Sequence, residues 1–312
     1  MREPDAKLHR IPWLLFLTGI GCLILLNFYV LLGAYSFSLA TICCTGSKSA
    51  ARDFSAYYAA IWQMLHVPSQ IYAHGPVLDG GPVFYPTNEQ YKYLPSFLIL
   101  ILPFDLLGYA QAIVAFDAFQ FALLPSMALL IYKLVREKGL GVTFAVAAAV
   151  LLLPVPWHGW NISVPYFWLW KEGQAKVLET FLLLTSFHFG KTLRPSLSGA
   201  TLALAFYDPR FGLVALPLFV MYNRGAIRLA TFWFAGTLLV SNALFLYPGV
   251  AAGYFDMAFT TGVATFFYPY AFIPLLAVAC LWYLNRKQVE SALRDVAVST
   301  KAYLLERLVT GP

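Results

Sequence analysis

Asp53 has the chemistry and the position of a catalytic base. It follows a long apolar run and stands at the head of residues 52–95, the one long polar segment between hydrophobic runs. A carboxylate just outside a membrane span can accept a proton from an attacking hydroxyl group. Alternatively, Asp53 caps the amphipathic segment 54–65 or stands in its first turn, where the helix dipole favours an acid. The two roles are compatible, because a helix N-terminus keeps the carboxylate ionised.

Three cations are candidates for binding a phosphate group, in the order Arg210, Lys176 and Lys92. A lipid phosphate that leaves in a transfer reaction gains negative charge, which a fixed cation stabilises. Ionisable groups at membrane depth are usually functional, which favours Arg210. Alternatively, Arg210 pairs with Asp208, and Lys92 extends along the membrane surface towards lipid headgroups.

Lys176 has a second interpretation as an ion-pair partner. Glu172 and Glu179 lie four residues before it and three after it, on one face of a helix. Glu179 lies about one turn beyond Gln174, and we expect it to line a polar cavity. Gln174 could hydrogen-bond sugar hydroxyls or cap the helix. Asp117 also lies inside an apolar run, with no assigned role.

The histidines do not form a metal site in sequence. His66, His74 and His158 show no metal-type spacing. We therefore expect no metal and no other cofactor, and chemistry that is independent of metal ions.

Composition decides where these residues must be held. The chain has 312 residues, of which 60% are hydrophobic, 17% aromatic and 12% charged, with a mean hydropathy of +0.68. Soluble domains carry about 25% charged residues. A surface that faces lipid explains the difference, so we predict an all-α, polytopic membrane helix bundle. The net charge of +6 does not indicate nucleic-acid binding, because the basic residues are scattered between apolar runs.

Apolar runs near the required span length of about 20 residues occur repeatedly. The strong runs are 13–37, 110–134, 142–157, 174–189, 227–247 and 266–284. Residues 196–222 are apolar but interrupted at 207–210, which predicts two short helices. Residues 93–108 contain two prolines, and we interpret them as re-entrant or interfacial. This gives about eight spans with both termini cytosolic. It puts 15 of the 21 basic residues on the cytosolic side, as the positive-inside rule requires.

This topology divides the chain into two parts. Residues 1–285 form a transmembrane catalytic module, and the outer loop 41–92 forms the roof of its active site. The outer side also receives the loop 157–173, the break at 208–210 and the loop 248–265. Residues 286–312 form a cytosolic amphipathic tail that lies on the membrane or packs against the bundle.

Several motifs in this order resemble glycosyltransferase family 87 of the GT-C superfamily. The resemblance covers roughly residues 53–219 and combines individually weak motifs. These are Asp53-Phe54, Tyr57-Tyr58-Ala59-Ala60, Ile71-Tyr72, Tyr91-Lys92-Tyr93-Leu94-Pro95, Gly173-Gln174 and Ser198-Gly199-Ala200 with Asp208-Pro209.

The resemblance implies an inverting transferase for a sugar carried on a polyprenyl phosphate, most often mannose. The acceptor is a hydroxyl group of a glycan or glycolipid on the extracytosolic side of the cell membrane. Asp53 would be the general base. Contacts to the substrates would come from a wider set of residues: Tyr57, Tyr58, Lys92, Tyr93, Gln174, Lys176, Glu179, Asp208 and Arg210.

The chain departs from the family pattern at two of these positions. Where the family has a lysine before the proline, this chain has Asp208, and a basic residue, Arg210, follows the proline. Where the family often has an asparagine after Gly-Gln, Lys176 stands here. The chain is also shorter than most relatives.

Two other classes of protein remain open. A transporter or flippase of a lipid-linked or small polar solute also uses broken helices, but it would predict inverted repeats and charges at mid-membrane. No repeat is visible in this chain. A non-catalytic assembly subunit would tolerate replacement of Asp53.

Overall fold

A computed structural model describes residues 52–72, 90–135, 175–261 and 272–310 of the chain. These residues form helices and turns and contain no strand, so the predicted all-α class holds for them. The α-helices, in chain order, are α1 (Arg52–His66), α2 (Pro95–Ile101), α3 (Tyr109–Val135), α4 (Lys176–Lys191), α5 (Pro195–Ala205), α6 (Pro209–Tyr222), α7 (Ile227–Ser241), α8 (Val250–Thr261), α9 (Phe272–Leu284) and α10 (Arg286–Thr310).

The predicted helix break at 207–210 is confirmed. α5 ends at Ala205, and α6 begins at Pro209. Proline is well suited to the first position of a helix, where no backbone donor is needed. Asp208 is the N-cap of α6, and its carboxylate accepts from the backbone N–H of Arg210 at 3.3 Å. The break therefore places two charged side chains at the start of a helix.

The helices α5 and α7 approach each other closely at Gly199. A Cβ atom built on Gly199 would lie 2.1 Å from the backbone oxygen of Ala230. Only a residue without a side chain allows this contact. Next to it, Ser186 and Ser198 each donate to the other's backbone oxygen at 2.9 Å, joining α4 to α5. Small residues and hydroxyl hydrogen bonds of this kind join helices where water does not drive association.

Aromatic residues hold α1 against its neighbours. The ring of Phe54 lies 5.0 Å from that of Phe116 in α3, and the ring of Tyr57 lies 4.9 Å from that of Phe97 in α2. All four side chains are buried. Offset and edge-to-face packing at these distances is favourable. The amphipathic segment predicted after the first apolar run is therefore a helix that packs into the core.

The number of membrane spans is not established by the structure. Gln111–Val135, with 25 residues, is long and apolar enough to cross a membrane. The helices Pro209–Tyr222 and Arg224–Ser241 pass the same test together but meet at 84°. The predicted run 174–189 is the 16-residue helix α4, and the run 266–284 contains the 13-residue helix α9. The runs 13–37 and 142–157 lie outside the described residues, so about eight spans remain a prediction.

The helix within residues 93–108 is too short to cross a bilayer. α2 has seven residues and is followed by the five-residue 3₁₀ turn Leu102–Leu106. A span needs about 20 residues. This length supports the interpretation of the segment as re-entrant or interfacial.

Two further segments refine the sequence-based predictions. The segment 248–265, predicted as an outer loop, is helical for most of its length, since residues 250–261 form α8; its position on the outer side stays a prediction. This stretch is rich in residues that are neutral or favourable in helices, and its few polar groups hid that preference. The tail is helical as α10, and Val289 and Ala292 in its first part are buried. Leu293, in the same part of the helix, is exposed.

Candidate functional site

Four charged side chains form a connected network, which we call the ion cluster: Lys176, Glu179, Asp208 and Arg210. The ammonium group of Lys176 donates to Asp208 Oδ2 at 2.6 Å and to Glu179 Oε2 at 3.0 Å. The guanidinium of Arg210 donates two hydrogen bonds to the same aspartate, from Nε to Oδ1 at 2.7 Å and from Nη2 to Oδ2 at 2.6 Å. Asp208 is thus the centre of the cluster.

Local sequence explains how the cluster is assembled. Lys176 begins α4, and Glu179 lies three residues later on the same face of that helix. Asp208 and Arg210 stand at the start of α6 on either side of Pro209. The hydroxyl of Tyr207 donates to the backbone oxygen of Ala175 at 2.6 Å and fixes the two helix starts to each other.

The cluster is balanced in charge and almost sealed from solvent. Lys176 and Asp208 are 1% exposed and Glu179 is 0% exposed, whereas the side chain of Arg210 is 23% exposed. Buried charges are tolerated when they are paired, and here two cations meet two carboxylates. The rings of Tyr93 and Phe211 lie 5.0 and 4.4 Å from the Lys176 ammonium and add cation–π attraction. Of the four members, Arg210 is the one that reaches the surface.

Two buried, hydrogen-bonded tyrosines interact electrostatically with Asp53 and with the ion cluster. The hydroxyl of Tyr57 donates to that of Tyr93 at 3.3 Å. Tyr93 is electrostatically coupled to Lys176 and Asp208 on one side and to Asp53 on the other. Burial raises the pKa of Tyr57 well above its ordinary value, and the neighbouring Tyr93 and Asp53 raise it further. Tyr57 therefore remains a neutral hydrogen-bonding group at any working pH.

Helix starts converge at this end of the molecule. Asp53 lies in the first turn of α1, Lys176 is the first residue of α4 and Asp208 caps α6. The backbone N–H of Leu94, the N-cap of α2, donates to the oxygen of Tyr207 at 2.8 Å. Helix N-termini carry partial positive charge and favour anions. Two of these helix starts already carry an acid, Asp53 and Asp208, so the partly exposed Arg210 is the group that could meet a negatively charged ligand.

The structure settles where most of the predicted site residues lie. It brings together seven of them, namely Asp53, Tyr57, Tyr93, Lys176, Glu179, Asp208 and Arg210. Tyr58 does not join them. Its hydroxyl donates to the backbone oxygen of Leu107 at 2.7 Å, because consecutive residues of a helix point about 100° apart. Lys92 is half-buried beside Tyr93 in the chain, and Gln174 lies outside the described residues.

The pairings proposed as alternatives are present. Lys176 pairs with Glu179, Arg210 pairs with Asp208, and Asp53 is a first-turn acid. Glu172 lies outside the described residues. These contacts leave a binding role open for Arg210, whose side chain is partly exposed. Lys176 is buried between Asp208 and Glu179, so it is not accessible to a ligand in the described structure.

Sequence reasoning missed two aromatic residues of the site. Tyr207 is fully buried, with its ring 5.2 Å from that of Tyr93, and its place directly before Asp208 in the break was a usable signal. Tyr254 of α8 is electrostatically coupled to Asp208 and Arg210, and its ring lies 5.4 Å from that of Tyr72. The predicted topology put the segment 248–265 on the same side as the break at 208–210, but it did not single out Tyr254.

The arrangement offers a carboxylate, Asp53, to accept a proton and a partly exposed guanidinium, Arg210, to bind an anion. The hydroxyls of Tyr57 and Tyr93 interact with both groups electrostatically or through the ion cluster. Within the described ranges, no three His, Cys, Asp or Glu residues group closely enough to hold a metal ion. Metal-independent chemistry stays a prediction. Comparisons of the chain with protein-family models, with curated proteins and with solved structures found no match.

Proposed function

We propose that this chain is a membrane glycosyltransferase that moves a sugar, such as mannose, from a polyprenyl phosphate to an acceptor hydroxyl group on the extracytosolic side. The observation that carries the proposal is the coupling of a half-buried carboxylate, Asp53, through Tyr57 and Tyr93 to an ion cluster whose Arg210 reaches the surface. The acceptor is a hydroxyl of a glycan or glycolipid, and nucleic acid has no part in the reaction.

The reaction uses one proton transfer and one displacement. Asp53 accepts the proton of the acceptor hydroxyl as its oxygen attacks the anomeric carbon of the donor sugar. The bond between that carbon and the phosphate oxygen breaks, and the lipid phosphate leaves with the electron pair. Attack from the side opposite to the leaving group inverts the anomeric centre.

Arg210 is the residue we assign to the leaving phosphate. Its guanidinium is held in a fixed orientation by two hydrogen bonds to Asp208 and is 23% exposed. A fixed guanidinium matches the geometry of phosphate oxygens and stabilises charge that develops in the transition state. Lys176, 1% exposed and held between Asp208 and Glu179, acts as a positioning residue that keeps Asp208 in place.

A membrane setting fits this division of roles. The lipid tail of the donor lies in the bilayer, its phosphate at headgroup level and its sugar in the aqueous cavity. The base must then stand just outside a span, as Asp53 does in the predicted topology. Our proposal keeps the predicted GT-C-like bundle of about eight spans in the cell membrane, with both termini cytosolic.

The test is sugar transfer by the purified full-length chain in nanodiscs. The donor is radiolabelled polyprenyl-phosphate mannose, offered with a panel of glycolipid and oligosaccharide acceptors. Asp53→Asn should lower transfer by about 10²- to 10⁴-fold, the usual contribution of a general base, while donor binding is retained. Arg210→Gln should weaken donor binding as well as transfer. Asp256→Asn, which neutralises an exposed aspartate of α8, is the matched control and should transfer normally.

The outcomes separate the competing classes. Undiminished transfer by Asp53→Asn would remove the base assignment. Failure to transfer from any prenyl donor, together with solute uptake by proteoliposomes, would establish a transporter instead. Retained donor binding and transfer with Arg210→Gln would remove the phosphate assignment, and lost transfer with Asp256→Asn would show that the losses are not specific to the candidate site.

A further inference from the structure

The turn between α4 and α5 has an unusual residue at its apex. α4 ends at Lys191, and the backbone closes it with two hydrogen bonds, from Arg194 N–H to Phe189 oxygen at 2.9 Å and from Leu193 N–H to Gly190 oxygen at 3.1 Å. This is the Schellman arrangement, in which the residue at the position of Leu193 is left-handed and usually glycine. Leu193 has φ = 59° and is the non-glycine residue with positive φ in the described part of the chain.

Leu193 is also highly exposed. Neither its left-handed backbone nor its exposed side chain stabilises the fold. Its side chain is 86% exposed, and Leu197, on the first turn of α5, is 47% exposed. A left-handed leucine is disfavoured relative to glycine, and an apolar side chain in water adds no stability. A contact outside the described structure would account for a leucine at this position.

Basic groups surround this apex. The ammonium of Lys191 donates to the backbone oxygens of Lys133 and Leu134 at 3.1 and 3.3 Å, which joins the end of α4 to the end of α3. Lys133, Lys191 and Arg194 all lie close enough to His188 to interact with it electrostatically. Neither Lys133 nor Arg194 forms an ion pair with a described carboxylate. We call Lys133, His188, Lys191, Leu193 and Arg194 the basic turn.

The basic turn is far from the candidate site. Lys176 and Lys191 stand at opposite ends of α4, which is 16 residues long, so the two sites are separated by about 22 Å along the helix. In the predicted topology that distance takes the chain from the outer face to the cytosolic face of the membrane. The basic turn cannot be part of the sugar-transfer site.

We propose that the basic turn binds anionic phospholipid headgroups of the cytosolic leaflet, with Leu193 inserted at the boundary of the acyl chains. Charge complementarity selects the lipid, since Lys133 and Arg194 carry positive charge that is unpaired among the described carboxylates. An exposed apolar apex with basic residues in the same turn and at the end of α3 matches the boundary between headgroups and hydrocarbon, where an exposed leucine is stabilised and basic residues meet anionic lipids. The inference does not depend on sugar transfer.

The test measures lipid binding by the full chain in neutral detergent. Native mass spectrometry counts bound dioleoyl phosphatidylglycerol and, separately, dioleoyl phosphatidylcholine. We expect the anionic lipid to bind preferentially. The double variant Lys133→Gln and Arg194→Gln should weaken that binding by about 25-fold, since one basic residue near a membrane surface contributes about fivefold. Inorganic phosphate alone should not compete.

Two further variants keep the proposal falsifiable. Leu193→Gly should lose affinity for the anionic lipid while its melting temperature in lipid-free detergent rises, because glycine relieves the left-handed strain. The matched control neutralises two exposed residues of α10, Lys287→Gln and Arg294→Gln, and should keep most of the binding. An equal loss in the control pair would reduce the effect to general positive charge and overturn the proposal. Full competition by inorganic phosphate, or unchanged lipid binding by Leu193→Gly, would overturn it as well.

Discussion

Replacing Lys176 by methionine tests whether the ion cluster is a single unit. Methionine keeps most of the length and apolar character of the lysine stem but removes the charge. Asp208 would retain its two hydrogen bonds from Arg210. Glu179 would lose the hydrogen bond at 3.0 Å that Lys176 gives to Oε2, and its Oε1 already accepts none. The substitution therefore leaves one carboxylate buried at 0% exposure without a partner.

The magnitude follows from the cost of an unpaired buried charge. Breaking a buried ion pair by removing one partner lowers the free energy of unfolding by about 3–5 kcal/mol. Because Asp208 stays paired with Arg210, and because a stranded Glu179 can take up a proton, we expect the lower end, about 3 kcal/mol. For a chain of this size, about 2 °C of melting temperature corresponds to each kcal/mol, so Lys176→Met should melt about 6 °C lower.

The second substitution makes the prediction specific. Glu179→Gln in the same chain removes the stranded carboxylate and restores charge balance, so the double variant should recover at least half of the loss. The measurement is thermal unfolding in one detergent, followed by tryptophan fluorescence, for the two single variants and the double variant. Lys287→Met, at an exposed lysine of α10, should change stability by no more than about 0.5 kcal/mol. If the losses of the two single variants simply add in the double variant, the cluster is not a unit and the reasoning is refuted.

The remaining predictions concern packing. Gly199→Ala should destabilise the chain by about 2–3 kcal/mol, because its Cβ would lie 2.1 Å from the backbone oxygen of Ala230, which cannot move like a side chain. Gly236→Ala, on α7 with no atom within 4 Å of the added Cβ, should instead stabilise it by up to about 1 kcal/mol; equal melting temperatures would contradict the close approach. Asp117→Leu should raise stability by about 1–3 kcal/mol, because both carboxylate oxygens are buried without a hydrogen-bond partner among the described residues. Destabilisation with loss of activity would instead assign Asp117 to function.

Sequence predicted those features that depend on local chemistry. As predicted from the proline and the charges at 207–210, one helix ends just before this segment and the next begins within it. The long apolar run 110–134 is α3 almost to the residue, although Pro125 lies inside it. The acid at position 53 stands in the first turn of α1. Each of these follows from a few neighbouring residues, and so it was visible without a structure.

Features that depend on distant contacts were not predictable in the same way. Lys176 and Asp208 are 32 positions apart, and sequence offered Lys176 only the nearby Glu172 and Glu179 as partners. Tyr57 and Tyr58 looked equivalent as neighbours in one motif, yet the packing of α1 turns one to Tyr93 and the other to Leu107. Tertiary packing decides which face of a helix meets the site, and no local pattern encodes it.

The pairing of Lys176 with Asp208 bears on which cation a phosphate could meet. These two side chains are in direct contact at 2.6 Å. A buried carboxylate at the start of α6 needs a cation, and a buried ammonium at the start of α4 needs an anion, so each supplies the partner that the other requires. Arg210 binds the same carboxylate, but its side chain is 23% exposed whereas Lys176 is 1% exposed. In the proposed reaction a phosphate would therefore meet Arg210 and not Lys176, which supports the assignment of Arg210.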